Sequence, residues 1–338
     1  MIENAIVGGG PAGSYCALCL AQNGIYPVIF DHTHPREKPC GGLVSPLAQK
    51  LFSFLEKPSI DHSEKSIIRL ISPTGREVRL PNVRALCFSR LKLDQFLLNM
   101  AVDEGAELIK EKVIGLERKE DSWKVKTASR FYHVRILIGA DGVNSVVRTS
   151  IVGPLSKTDK GVCCGYLAKG LEKEDITFKF LAHRKGYLWV IPRDDHTSLG
   201  IWASEASRSY GLRQELNTFI ERQYPNAKLI SEWAALIPNV KNIGTFQIPV
   251  AGSRWILTGD AAGHVSPTFG EGILYALLDG ELAAQAVVEN NPKAFNESWK
   301  KVYGMELVMN TKVRKWLYTR LGLEIYCKFA KLQNALFH

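Results

Sequence analysis

Hydrophobic positions fall along this chain in blocks whose period changes. Ala5-Ile6-Val7 is an unbroken apolar run that ends at a glycine cluster, the pattern of a strand buried on both faces. Small and apolar residues from Pro11 to Asn23 predict a helix, and Pro27 to Phe30 a second strand. Leu93, Phe96, Leu97 and Met100 share one face of a helix predicted over Leu91 to Asp103. Alternation predicts strands at about 123–127 and 131–138. A strand-rich middle follows over about 161–237, with segments such as Thr177 to Leu181 and Tyr187 to Ile191. Trp255-Ile256-Leu257 then leads into a turn-rich stretch, and helices dominate from Glu271 onward. With no internal repeat and no low-complexity linker, the order predicts an α/β domain interrupted by a sheet domain and completed late in the chain.

Composition narrows the class. The 338 residues suffice for two domains, and 46% hydrophobic with 23% charged residues is the balance of an ordinary globular protein. No apolar run approaches the ~18 residues of a spanning helix. MIENAIVGGG lacks a basic start, so no signal peptide is expected. Seven cysteines, at 16, 19, 40, 87, 163, 164 and 327, match no zinc or iron–sulfur spacing. Cys16 and Cys19 sit inside a predicted helix and read as small buried residues. No metal site is expected, and the setting reads as reducing and cytoplasmic.

The formal charge of +9 is concentrated. From Lys300 to His338 there are eight Lys or Arg against Glu306 and Glu324, a local +6. Trp299, Val302, Tyr303, Leu307, Val313, Trp316 and Leu317 recur there at near-helical spacing. Two readings stay open: a solvated helix docked on the protein, or a basic amphipathic helix on an anionic membrane surface. Nucleic acid is not an expected partner, because the rest of the chain is nearly balanced.

Three glycine-bearing turns carry the candidate chemistry. Gly8-Gly9-Gly10-Pro11-Ala12-Gly13 is a G-x-G-x-x-G between a strand and a helix, the context for a bound pyrophosphate at a helix N-terminus. Asp31 ends the second strand, where an acid accepts ribose hydroxyls and disfavours a 2′-phosphate. Ala140-Asp141-Gly142 follows the apolar run Ile136-Leu137-Ile138, with Ser145 and Arg148 beyond it. Arg148 is open between a cofactor contact and a surface ion pair. Arg90 is open between a phosphate partner and a plain surface arginine. Gly259-Asp260-Ala261-Ala262 opens the third turn, which continues through Gly270-Glu271-Gly272-Ile273.

Together these turns resemble the FAD-binding pattern of the p-hydroxybenzoate-hydroxylase-like flavoproteins. The resemblance implies that Gly259 and Asp260 hold the ribityl chain and pyrophosphate, and that Gly270, Gly272 and Ile273 lie beside the flavin pyrimidine edge. The N-terminus of the following helix would stabilise the charge of a reduced flavin. Glu271 is open between that site and a helix-start acid favoured by the dipole. The implied fold is α/β: a Rossmann-like FAD-binding domain, an inserted mixed or antiparallel β-sheet substrate domain, and C-terminal helices. The expected boundaries are 1–60, 82–155 and 250–290 for the first, 61–81 and 156–249 for the second, and 291–338 for the basic tail.

Two further stretches narrow the resemblance. Lys38-Pro39-Cys40-Gly41-Gly42 is similar to the C-G-G segment of geranylgeranyl reductases, and Tyr187-Leu188-Trp189-Val190-Ile191-Pro192 to their Y-x-W-x-F-P, with Ile191 where Phe is usual. The likeness runs from Met1 to about Val288, and the region after it is shorter than in many members. It implies a reductase that saturates C=C bonds of prenyl chains with a hydride from reduced flavin. Cys40, Tyr187 and Trp189 are the candidates at the substrate, with Cys40, Gly41 and Gly42 also close to the flavin. Tyr187 and Trp189 face the same way along a strand, and aromatic walls suit an apolar chain. Core packing is the competing reading for both, and for Cys40 a small buried thiol. The electron donor is open between NAD(P)H and a ferredoxin-like protein. The competing functions are an aromatic hydroxylase, a halogenase (against which Tyr187 stands in place of the first Trp of W-x-W-x-I-P), and electron transfer to a quinone.

Overall fold

The computed structural model describes residues 1–57, 59–205 and 209–337, with side chains up to Leu332 in the last helix. In chain order the N-terminal part runs β1 (Ile2–Val7), α1 (Pro11–Gln22), β2 (Val28–Phe30), β3 (Leu43–Val44), α2 (Pro46–Leu51), β4 (His62–Lys65), β5 (Ile68–Ile71), β6 (Glu77–Leu80), β7 (Ala85–Phe88) and α3 (Arg90–Asp103). The centre holds β8 (Glu107–Ile109), β9 (Val113–Arg118), β10 (Trp123–Thr127), β11 (Phe131–Gly139), α4 (Val146–Ile151), β12 (Lys160–Lys169), β13 (Ile176–Phe180), β14 (Gly186–Pro192) and β15 (Thr197–Ala203). The remainder is α5 (Leu212–Gln223), β16 (Lys228–Pro238), β17 (Ala251–Gly252), β18 (Trp255–Leu257), α6 (Ile273–Val288), α7 (Phe295–Trp299), α8 (Met305–Leu317) and α9 (Arg320–Phe337). They form two compact units.

The first unit comprises 1–36, 91–159 and 238–311. Its sheet runs β17-β18-β11-β1-β2-β8, with β10 and β9 added beside β11. β18, β11, β1, β2 and β8 are mutually parallel. Parallel strands are buried on both faces, which is why Ala5, Ile6, Leu137, Ile138, Ile256 and Leu257 are all fully buried. α1 and α6 pack against each other. Their contact is close because Gly280 faces the Ala12 carbonyl and the Cys16 amide, where a Cβ would lie 2.9 Å from each.

The second unit comprises 37–90, 160–237 and 312–338. Among the described residues it has a seven-stranded sheet, β16-β12-β15-β14-β13-β5-β6, and a three-stranded sheet, β3-β7-β4. From β12 to β6 the large sheet is antiparallel except where β13 meets β5. Side chains alternate along β14, so Leu188 and Val190 join a core with Leu212, Leu216, Phe219 and Ile220 of α5, and Tyr187 and Trp189 take the other face.

The strands at 123–127 and 131–138 and the helix from Leu91 lie within a residue or so of their expected places. The middle is not all strand: α5 stands inside it, its buried residues at i, i+4, i+7 and i+8. The units also divide differently from the expected boundaries. Residues 37–60 join the sheet unit because β3 pairs with β7. Residues 291–311 join the first unit because Phe295, Trp299, Tyr303 and Leu307 enter its core.

Candidate functional site

In the first unit the three glycine turns leave the sheet side by side. Val7 is in register with Gly139, and Gly139 with Leu257. Each turn therefore starts at the carboxyl end of a neighbouring parallel strand, where open α/β sheets bind their ligands. Backbone bonds tie them: Ala140 N–H donates to Val7 O at 2.8 Å and Thr258 N–H to Gly139 O at 2.9 Å. Gly8 has φ +107°, and a Cβ there would lie 2.4 Å from Ala140 O. At Gly13 a Cβ would lie 1.9 Å from Gly8 O, so only glycine lets the helix start this close to the strand. A Cβ at Gly259 would lie 3.2 Å from the Ala12 Cβ, so the third turn sits close on the first.

Several side chains lock this arrangement. Asp31 is buried at the end of β2; its Oδ2 accepts Gly9 N–H at 2.6 Å and meets His34 Nδ1 at 2.8 Å, and its Oδ1 accepts the Thr33 and His34 amides. Burial alone would raise its pKa, but the hydrogen bond and charge of His34 and the backbone donors outweigh it and hold the carboxyl well below the usual range. Asp141 stands at the start of α4, whose N-cap is Ser145, and accepts the Val146 amide at 2.7 Å and the Ser145 hydroxyl; burial raises its pKa against those donors. Arg148 is buried rather than a surface ion-pair residue, and its Nη1 donates to Ala261 O at 3.1 Å. That bond joins the second turn to the third. Asp260 Oδ1 lies 3.6 Å from where a Gly272 Cβ would stand, at the start of α6. Gly270 has φ +71° and Ile273 is the first residue of that helix.

The residues present fit a dinucleotide-bearing flavin. α1 and α6 both begin at a glycine N-cap, Gly10 and Gly272, with no side-chain cap and no acid in the first turn. Pro11 and Ala12 form the first turn of α1, and proline suits that position because its missing N–H would be unpaired anyway. Such helix starts leave several N–H groups available to an anion. A Cβ at Gly142 would meet nothing within 4 Å, so the second turn also leaves open space beside the backbone.

In the second unit the two remaining motifs meet. Ser198 Oγ accepts Trp189 Nε1–H at 3.0 Å and donates to Cys40 O at 3.0 Å. A Cβ on Gly41 would lie 2.6 Å from Ile191 Cδ1. Arg193, fully enclosed, donates to Cys40 O at 2.6 Å and Gly41 O at 3.2 Å, and pairs with Glu37. Its Nη1 also reaches His196 Nε2 at 3.0 Å; since arginine only donates, Nε2 accepts and Nδ1–H points to Asp195 at 2.7 Å. Gly42 N–H donates to Cys40 Sγ at 3.3 Å. Ser89 Oγ and Arg90 N–H both donate to Glu37, and Arg90 is itself buried.

Tyr187 and Trp189 are buried in an aromatic layer. Tyr187 packs against Trp202 at 5.4 Å and Phe178 at 5.6 Å, and Trp189 stacks on Trp233 at 5.8 Å and 24°. Gly200 is the strand neighbour of Trp189, and a Cβ there would lie 2.1 Å from its ring. Any larger residue would push the indole off the sheet.

No protein-family model matches the chain. Among curated proteins it is 25% identical over 347 residues to digeranylgeranylglycerophospholipid reductase 1 of Methanococcoides burtonii, covering 93% of this chain and 83% of that protein. It is 27% identical to geranylgeranyl diphosphate reductase of Synechocystis sp., covering 100% of this chain and 91% of that one. Over most of its length the chain is thus similar to proteins named geranylgeranyl reductases. A solved geranylgeranyl bacteriochlorophyll reductase-like protein of Thermoplasma acidophilum superposes with a TM-score of 0.83 at 20% identity, over 98% of this chain and 91% of that one. A flavin-dependent brominase superposes at 0.74 with 18% identity, over 98% and 93%. At those identities the two structures show the shared fold.

Arg193, Ser198, Glu37 and His196 escaped the sequence reading. They lie singly, more than 150 residues from the Cys40 segment in the case of Arg193 and Ser198. The local signals were positional: Arg193, His196 and Ser198 stand just after the Y-x-W segment, and Glu37 just before Lys38. The Asp279, His264 and Tyr303 group behind the third turn was missed for the same reason.

Proposed function

We propose that this geranylgeranyl reductase relative binds FAD on its first unit and saturates C=C bonds of a prenyl chain in a lipid or isoprenoid substrate. The observation that carries the reading is the convergence of Gly8–Gly13, Ala140–Gly142 and Gly259–Asp260 at adjacent strand ends beside two uncapped helix starts. Bound and reduced, FAD would supply the hydride that one alkene carbon needs, and the other carbon would take a proton. α1 holds the pyrophosphate with backbone N–H groups, and Asp31 fixes the loop by its bond to Gly9. Asp260 accepts ribityl hydroxyls, and the start of α6 offers partial positive charge to the flavin edge. In the second unit, Arg193 and Ser198 fix the Cys40 loop, and Tyr187 and Trp189 back it with a rigid apolar face. An isolated alkene offers no carbonyl to polarise, so fixed geometry and exclusion of water carry much of the acceleration.

The assay is direct. Reduced with dithionite without oxygen and then offered a geranylgeranyl lipid, the protein is expected to reoxidise with a gain of two hydrogens per double bond. Reoxidation by air alone, with an oxygenated aromatic product, identifies a hydroxylase instead.

Peripheral attachment to an anionic membrane is the second element of the proposal. Among the described residues no helix is long and apolar enough to cross a membrane. Met305, Met309, Val313 and Trp316 are exposed at i, i+4, i+8 and i+11 along α8, beside Lys312 and Lys315. Leu321, Phe329 and Leu332 are exposed on α9, beside Lys328 and Lys331. An apolar stripe with basic neighbours is what binds an interface rich in acidic lipids.

A further inference from the structure

A buried polar cluster lies behind the third turn and none of the roles above uses it. Asp279 of α6 is fully buried, as are His264 at 1% exposure and Tyr303 at 4%. Asp279 Oδ2 accepts the Gly259 amide at 2.6 Å and His264 Nδ1–H at 2.8 Å. Its Oδ1 accepts the Tyr303 hydroxyl, whose oxygen is also 2.9 Å from His264 Nδ1. The His264 ring lies 4.3 Å from Trp299 at 39°, so packing fixes its plane. Tyr303 sits in a π-helical turn, Lys300–Gly304, between α7 and α8. Such turns widen a helix locally and re-aim one side chain, here into the core.

A carboxylate taken out of water is costly unless donors surround it, and this one has three. A neutral acceptor would satisfy a lone backbone amide more cheaply. The amide it grips belongs to Gly259, whose φ of +56° sets the bend of the turn. Asp260 is the next residue. Burial, then the neighbouring Asp279, pushes the Tyr303 hydroxyl well above its ordinary value, which keeps it a donor.

We propose that Asp279, clamped by His264 and Tyr303, is a positioning residue for the flavin: it sets the Gly259–Asp260 turn and fixes a negative charge directly behind it. This rests on the flavin reading given under Proposed function. A reduced flavin gathers negative charge, and the α6 N-terminus favours that form. The Asp279 carboxylate opposes it, so the two fix the balance between oxidised and reduced cofactor. Tyr303 shields the carboxylate and weakens the opposition.

The test uses the full chain, with FAD affinity from fluorescence quenching and the midpoint potential from dye-coupled anaerobic reduction. Asp279→Asn is expected to weaken FAD binding about tenfold by loosening the turn. Because the charge is gone, the ratio of reduced to oxidised affinity should rise, and a tenfold rise is about +30 mV for a two-electron couple. Tyr303→Phe keeps volume and charge but removes a donor, so its potential should move the opposite way. A residue that only packed the core would change melting temperature without that opposed pair of shifts. Should Asp279→Asn fail to fold, the downward shift in Tyr303→Phe carries the test alone. Variants that bind FAD with the parent's affinity and potential overturn the inference while leaving the flavin site intact. A parent protein that binds no flavin overturns both.

Discussion

Replacing Arg193 by methionine removes the clamp on the Cys40 loop while nearly keeping its volume. The guanidinium makes bonds to Cys40 O at 2.6 Å, Gly41 O at 3.2 Å and His196 at 3.0 Å, and the pair with Glu37. Removing one partner of a buried pair costs about 3–5 kcal/mol. Here the cost is smaller, since Glu37 keeps Ser89 Oγ and Arg90 N–H as donors and its side chain is 22% exposed. Cys40 O likewise keeps Ser198. The expected loss is about 2–3 kcal/mol, which makes local opening of the loop roughly 30- to 150-fold more frequent at about 1.4 kcal/mol per factor of ten. Amide hydrogen exchange reads this at Gly42, which donates to Cys40 Sγ, and at Phe88, which donates to Gly42 O at 2.8 Å. Exchange there should accelerate by that factor while strands β1 and β11 keep the parent's rates. Unchanged exchange in a folded Arg193→Met protein would refute the clamp.

Three further outcomes are expected. Ser198→Ala orphans the Trp189 indole N–H and should cost about 1–2 kcal/mol; the double change with Trp189→Phe should cost less than the two separate losses added, read by a urea double-mutant cycle. Asp31 has a depressed folded pKa, so its contribution is complete above the unfolded carboxyl value of about 3.9 and is lost as pH falls below it; Asp31→Asn should flatten that acid limb in thermal melts taken at successive pH values. Sedimentation with vesicles rich in acidic phospholipid should retain the parent chain and lose a variant with Met305, Met309 and Trp316 changed to serine, whereas equal retention removes the proposed membrane face.

The sequence carried the first unit further than the second. Val7, Gly139 and Leu257 end apolar runs followed by small-residue turns, and both signals are local, so the three turns could be placed before their convergence was seen. The Y-x-W strand was legible from alternation, and Cys40 from its paired glycines. What bound those two together was not, because Arg193 and Ser198 act across a contact of more than 150 residues and neither has a periodic neighbour. α5 was missed inside strand-like surroundings although Leu212, Leu216, Phe219 and Ile220 hold a helical spacing. The buried Asp279 looks from sequence like one more polar residue on an alanine-rich helix. Its environment comes from the third turn and from the π-helical turn that carries Tyr303.

Titration of the apoprotein with FAD tests the central claim most directly, because the three glycine turns have no other assigned purpose. The account predicts saturation at one FAD per chain with a bound-flavin spectrum, and loss of that binding in Gly13→Val, where the side chain would collide with the Gly8 carbonyl. A folded parent chain that stays colourless with excess FAD would contradict it.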